Sequence, residues 1–318
     1  MKKTILATAI LLAGAANAAE VYNNEGTSVS LGGSFRGHVV IDNSDAVNFE
    51  DAGSRFDIKV AKELDDGLKA FGQMEIKYTG DMTKKNSSGV ESKTDGLFIN
   101  NAFLGLEHDV YGKLVLGNKL GLGDDLVSND FSYENGVYAF QTNAAGSGTE
   151  DQLEYTKTFG GAKVVVGLIN QDTYTLGGTY DVAGLSLGVA YTMANDQKGT
   201  ATPLVDNSSI IVGVQYSLDA LTLGAQYQAL DVDNADTSAY GLGAKYALGQ
   251  ASVYGSYDIL DGDAKSDEGS ELVVGADYEI AKDVKTYVEF NSSDRDVATA
   301  SRKDKTEDTL WVGARVYF

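Results

Sequence analysis

The chain has 318 residues, 46 acidic against 25 basic side chains, a formal charge of -21, one proline, two histidines and no cysteine. A balance of that sign cannot neutralise a phosphate backbone, so nucleic acid is excluded as a partner. Disulfides, thiol nucleophiles and thiolate metal sites are excluded outright, and His38 and His108 are too few for a histidine metal cage or a His-based triad, so neither metal nor cofactor is expected.

The first element is a targeting segment. Met1-Lys2-Lys3 is basic, Thr4 to Ala16 is an apolar run, and Ala16-Asn17-Ala18 is a small-x-small cleavage site. This predicts a signal peptide over 1–18 and a mature chain from Ala19. The run is too short for the ~20 residues of a membrane-spanning helix. No later window reads as such a helix either. An exported chain of this kind is a soluble β protein or a membrane β-barrel.

Period-two alternation dominates the rest. Arg55-Phe56-Asp57-Ile58-Lys59-Val60 alternates without a break, and so do 185–193, 221–227 and the second half of 272–280. Sixteen such segments lie near 28–41, 53–63, 68–79, 95–108, 112–118, 150–159, 162–171, 172–182, 184–194, 207–218, 220–230, 237–247, 250–260, 269–280, 284–293 and 308–318. Short turns sit at 65–67, 160–161, 183, 219, 248–249 and 281–283. Longer polar loops sit at 42–52, 80–94, 120–149, 195–206, 231–236, 261–268 and 294–307. Short turns on one side and long loops on the other, with tyrosines near many strand ends, predict an all-β fold: a 16-stranded antiparallel transmembrane barrel. A soluble β-sandwich would also alternate, but it would mix turn lengths and carry more edge proline.

The ends of the chain then resemble a known family, the Gram-negative general diffusion porins of enterobacterial and vibrio type. Ala19 to Gly26 (AEVYNNEG) resembles the family's opening run, Leu68 to Tyr78 its third strand and Phe103 to Leu106 its fourth. Leu310 to Phe318 (LWVGARVYF) is similar to its last strand with the terminal Phe. The resemblance implies a single barrel domain over 19–318 in the outer membrane of a Gram-negative bacterium, a homotrimer, and contact with outer membrane lipids and lipopolysaccharide. It also implies that the third loop, 120–149, folds inward to narrow the pore. That loop carries Asp124, Asp125, Asp130 and Glu134 and no base. Asp130 and Glu134 align with the family's two constriction acids. On the opposite wall Arg55 matches a family arginine, and alternation points Arg36, Lys59 and Lys77 inward with Glu75. Asn100 stands where relatives place a further arginine, and another falls near Gly148, so the basic ladder is thinned.

A wide barrel leaves an aqueous path, and carboxylates along it raise the local cation concentration. The expected function is therefore passive diffusion of ions and small hydrophilic solutes with cation preference. Three rivals stay open: a sugar-selective channel, an outer-membrane enzyme, and an adhesin without conductance. Trp311, Tyr254 and Tyr287 point inward but are sparse for a sugar slide, and two histidines are sparse for hydrolysis. Asp231 to Asp236 begins like a calcium loop but lacks glycine at its sixth position and has Leu242 where a bidentate Glu belongs, so it is not an EF-hand. The acidic loops at 231–236 and 261–268 are either plainly solvated or bridge divalent cations to lipopolysaccharide phosphates.

Overall fold

The computed structural model describes residues 18–42, 47–85, 91–134, 149–170, 172–194, 207–232, 235–263, 268–295 and 307–318. Residues 1–17 of the expected signal peptide and residues 135–148 of the expected third loop, Gly148 included, lie outside these. Eighteen strand segments follow one another. They are β1 (Ala19–Asn24), β2 (Thr27–Asp42), β3 (Val47–Asp51), β4 (Arg55–Glu63), β5 (Leu68–Lys85) and β6 (Glu91–His108). Next come β7 (Gly112–Leu120), β8 (Thr149–Phe159), β9 (Ala162–Asn170), β10 (Thr173–Val182), β11 (Leu185–Ala194) and β12 (Asn207–Leu218). The last six are β13 (Leu221–Val232), β14 (Ala235–Leu248), β15 (Ala251–Gly262), β16 (Gly269–Ala281), β17 (Val284–Arg295) and β18 (Glu307–Tyr317).

Each segment pairs antiparallel with its sequence neighbour from β4 to β18, and β18 returns to pair with β2, Thr309 opposite Asp42 and Tyr317 opposite Ser34. Two ring positions are shared. β3 and β4 lie end to end along one edge of β2, and β1 and β18 lie end to end along the other. The ring is a closed sixteen-stranded antiparallel barrel. Closure is required because a lipid bilayer offers no partner to an open sheet edge.

The seam is held by the last residue. Phe318 N–H donates to the Gly33 carbonyl (3.1 Å) and Gly33 N–H to the Phe318 carbonyl (2.9 Å). The Phe318 ring stacks on Phe35 (5.6 Å between centroids) and lies 6.5 Å from Phe56. A Cβ on Gly33 would fall 2.3 Å from the Arg55 carbonyl, so only glycine lets the two strands and the terminus meet.

Burial is inverted relative to a soluble fold. Among the described residues, twenty buried side chains are polar or charged and eleven are hydrophobic. The large apolar side chains are outside: Phe35 is 68% exposed, Leu104 61% and Leu242 67%. Hydrocarbon outside and water inside produce this pattern from the same alternation that buries apolar residues in a soluble sheet.

Three expectations change in detail. The loop at 80–94 is largely an extension of the β5–β6 ladder, with Met82 opposite Thr94 and Lys85 opposite Glu91. The loop at 42–52 contains β3, paired to β2 through Val39 opposite Phe49. The loop at 231–236 is the tip of the β13–β14 ladder, with Asp231 opposite Asp236. Polar side chains disguise these stretches as loops, because beyond the bilayer both faces of a ribbon meet water and the alternation disappears. The tight turns match expectation. Asp66, Ala183, Asp219 and Asp283 adopt positive φ of 49–65° at the turns after β4, β10, β12 and β16.

Replacing Phe318 with Ala is expected to remove two ring contacts worth about 1 kcal/mol each. The folded, heat-resistant band on an unheated gel should convert to the unfolded band at a lower temperature than wild type.

Candidate functional site

Residues 121–134 leave β7 and turn into the barrel instead of out into solvent. The reason is a row of wall positions without side chains. Gly188 on β11 pairs with Gly213 on β12, and Gly224 on β13 pairs with Gly243 on β14. A Cβ at Gly188 would lie 2.5 Å from Leu126 Cδ2, one at Gly213 2.2 Å from the Leu126 carbonyl, one at Gly224 1.9 Å from the Ser128 carbonyl, and one at Gly243 2.1 Å from the Asn129 carbonyl. The glycines form a shelf on which the backbone of 126–129 lies directly against the wall. Leu122 and Leu126 fill the apolar ground beside it with Val165, Ala190 and Ile211.

The far end of the segment is tied by hydrogen bonds. Gln215 donates to the Ser128 carbonyl (3.2 Å) and Asn129 to Asp258 (2.9 Å). The fully buried Glu289 carboxylate accepts from Tyr133 N–H (2.7 Å), Glu134 N–H (3.1 Å) and the Tyr254 hydroxyl (2.8 Å). Tyr133 stacks on Tyr287 at 4.7 Å, with the Arg315 guanidinium 4.7 Å from its ring. Arg315 also donates to the Tyr133 carbonyl.

The expected site residues separate into three groups. Asp124, Asp125 and Asp130 stand on the lumen-crossing stretch, and among the described residues neither Asp124 nor Asp125 has an ion pair within 4 Å. Burial, with Asp125 next to it and Asp130 near, pushes the Asp124 carboxyl up to about 6, against the opposing pull of Lys77. Asp125 is also raised, by burial, while facing Lys119 and Lys163. Glu134 is different. It bonds Arg315 at 3.0 Å, accepts from the Tyr287 hydroxyl and lies 3.1 Å from His38 Nδ1. Burial alone would raise its carboxyl, but His38, Tyr287 and Arg315 hold it below the usual range. Glu134 is thus an anchor of the segment to β17, β18 and β2.

The third group is the wall of β2, β4, β5 and β6. Arg36 Nε–H donates to Ser34 Oγ (2.7 Å), and its backbone N–H donates to Ser54 Oγ (2.9 Å). Arg55 and Lys77 flank Glu75 at 3.5 and 4.0 Å, and Asn100 donates to the same carboxylate (2.6 Å). Asn100 reaches inward because the β5–β6 register slips there, Glu75 opposite Asn101 and Ile76 opposite Ile99. Lys59 shares the inward face with the buried Asp57.

Three comparisons bear on this arrangement. A family model described as Gram-negative porin matches residues 4–298. The chain belongs to the Gram-negative porin family. This porin is 28% identical over 355 residues to the major outer membrane protein of Pasteurella multocida strain Pm70, covering 100% of each chain. It is 28% identical over 366 residues to a monosaccharide porin of a Halomonas species, covering 93% of this chain and 96% of the other. Its fold matches OmpT of Vibrio cholerae in trimer form (TM-score 0.73, 18% identity, 92% of this chain and 100% of that one). It matches the anion-selective porin of Comamonas acidovorans equally well (TM-score 0.73, 20% identity, 92% and 100%). The chain is an outer membrane channel protein and not an enzyme.

Several residues of this porin's lumen escape sequence reasoning. Lys119 pairs with Glu154 (2.7 Å), Lys245 with Asp277 (3.0 Å), and Glu289 and Arg315 hold the segment. The inward phase of their strands was legible, but their partners across the lumen were not. Tyr254 and Tyr287 do point inward, yet they are buried under Tyr133 and offer solutes no open aromatic surface. His108 serves a turn: its Nδ1 accepts from Val110 N–H (2.9 Å), so Nε2 carries the proton and donates to the Asp66 carbonyl (3.0 Å).

Gly224→Val is expected to push Ser128 off the shelf toward the lumen and lower single-channel conductance, since valine suits the strand itself. Gly72→Ala, whose Cβ meets nothing closer than 3.5 Å, should leave conductance unchanged.

Proposed function

We propose that this porin is a general diffusion channel for ions and small hydrophilic solutes, with a cation preference set by the inward segment. One observation carries the reading. Arg55, Lys77, Lys119, Lys245 and Arg315 each have a carboxylate within 4 Å, whereas Asp124 and Asp125 on the segment have no basic group that near among the described residues. The wall charges are largely cancelled locally, and the segment's are not. Carboxylates facing water in a narrow, low-dielectric passage concentrate cations and repel anions. Arg36 opposes them from across the lumen and keeps the preference modest.

A second reading, a monosaccharide-selective channel, is favoured by the Halomonas relative bearing that name. Concentration-dependent block of ion current by simple sugars would support it over the first. Assembly as a homotrimer is supported by the trimeric OmpT fold match and by the apolar outer faces of β2, β6 and β7, with Phe35, Leu97, Leu104 and Leu116 exposed. The remaining outward Leu, Val and Tyr rows suit outer membrane lipid and lipopolysaccharide acyl chains.

In a planar bilayer with a KCl gradient, the zero-current potential is expected to have the sign of a cation-selective pore. The opposite sign overturns the reading. The preference should also fall as pH drops through about 6, because the Asp124 carboxyl, charged above that value, takes up a proton below it. Asp124→Asn should hold the preference at its low-pH level throughout and remove the step.

A further inference from the structure

Behind the inward segment lies a polar chamber that the channel reading does not use. Its floor is one hydrogen-bonded row of the wall, Gln226 opposite Gly241, Gly241 opposite Asp258 and Asp258 opposite Glu271. Its lid is Asn129, which is fully buried. Gly241 lets the Asn129 amide and the Asp258 carboxylate meet directly over the wall: a Cβ there would fall 2.1 Å from Asp258 Oδ1 and 2.2 Å from Asn129 Nδ2.

The polar atoms of this chamber do not satisfy one another. Asn129 spends its Nδ2 on Asp258 Oδ1 (2.9 Å), which fixes the orientation of the amide and leaves Asn129 Oδ1 buried without a partner. Among the described residues Asp258 Oδ2 has no partner, and neither amide atom of the buried Gln226 has one. The charged groups that bear on Asp258 are Glu271 and Asp130, both acidic, and no base stands among them. A buried carboxylate with one oxygen unpartnered and acidic groups as its charged neighbours is strongly unfavourable unless a cation or a proton joins it.

We propose that this chamber is a binding site for a hard divalent cation of the calcium class, seated between Asn129 and the β13–β16 wall. Asp258 Oδ2, Asn129 Oδ1 and Gln226 Oε1 supply oxygen ligands, Glu271 next in the row adds negative charge, and water completes the shell. Carboxylate and amide oxygens with no nitrogen or sulfur donor are the ligand set calcium takes. The cation bridges the shelf end of the segment at Asn129 to the wall, ahead of the Glu289 anchor, and so stiffens the segment. The inference depends on the position of the segment but not on the sign of ion selectivity.

The test is calcium binding to the full, folded porin stripped with a chelator, measured by equilibrium dialysis with radioactive calcium. Terbium luminescence excited through Tyr133 and Tyr254 gives a second readout. One site per chain is expected, lost in Asp258→Asn and weakened at least tenfold in Gln226→Leu. Gly241→Ala, whose Cβ would displace Asp258 and Asn129, should lose it as well. Asp231→Asn with Asp236→Asn, on the outer rim, should keep it. Each variant is first checked for the heat-resistant folded band. Binding that persists in folded Asp258→Asn, or that disappears only in the rim double variant, overturns the proposal. So does an infrared carboxylic-acid band, present at neutral pH in calcium and absent in Asp258→Asn, because it would show a proton where the cation should be. A changed zero-current potential with the calcium site intact would count against the selectivity reading alone.

Discussion

An unpaired peptide group in hydrocarbon costs several kcal/mol, and that penalty governs everything else in this molecule. It forces every strand to have a neighbour on both edges and so forces the sheet to close. Closure falls on the meeting of β1 and β18 beside β2, where Gly33 and Phe318 exchange backbone hydrogen bonds. Once the ring is shut, the period-two alternation of each strand becomes a division between lipid outside and water inside. The lumen then holds charges such as Asp57, Glu154, Asp277 and Arg315 that no apolar core would accept.

A closed ring of this size leaves a hole, and the chain partly fills it with its own backbone. That step rests on absence. Gly188, Gly213, Gly224 and Gly243 contribute nothing to the lumen, and the segment occupies the room they leave. The anchoring is then graded from apolar packing at Leu122 and Leu126, through backbone on glycine, to hydrogen bonds at Glu289 and Glu134. Asp124 and Asp125, which have no ion pair among the described residues, sit on the stretch between those supports.

Much of this was legible beforehand. The alternation in 55–60 and 221–227, the glycine- and aspartate-marked turns and the terminal Phe318 pointed to the barrel and to its inward and outward faces. Arg36, Arg55, Lys59 and Lys77 came out inward because phase along a strand is a local property. Glu134 shows where that reasoning stopped. It looked like a free constriction acid from its place in an acidic loop, yet it is neutralised by Arg315, which is 181 residues away in sequence. Tyr254 and Tyr287 were read as inward correctly, but whether they face solute or another ring depends on Tyr133. The wall glycines at 188, 213, 224 and 243 read only as small residues on polar faces, since a shelf exists only once four strands are in register.

By itself the sequence determined strand count, strand phase, turn positions and the acidic character of the loop at 120–149, because these follow from neighbours along the chain. Tertiary structure alone decided which charges cancel and which act. Ion pairing falls steeply with distance and burial, and both are set by how strands far apart in sequence face one another across the lumen.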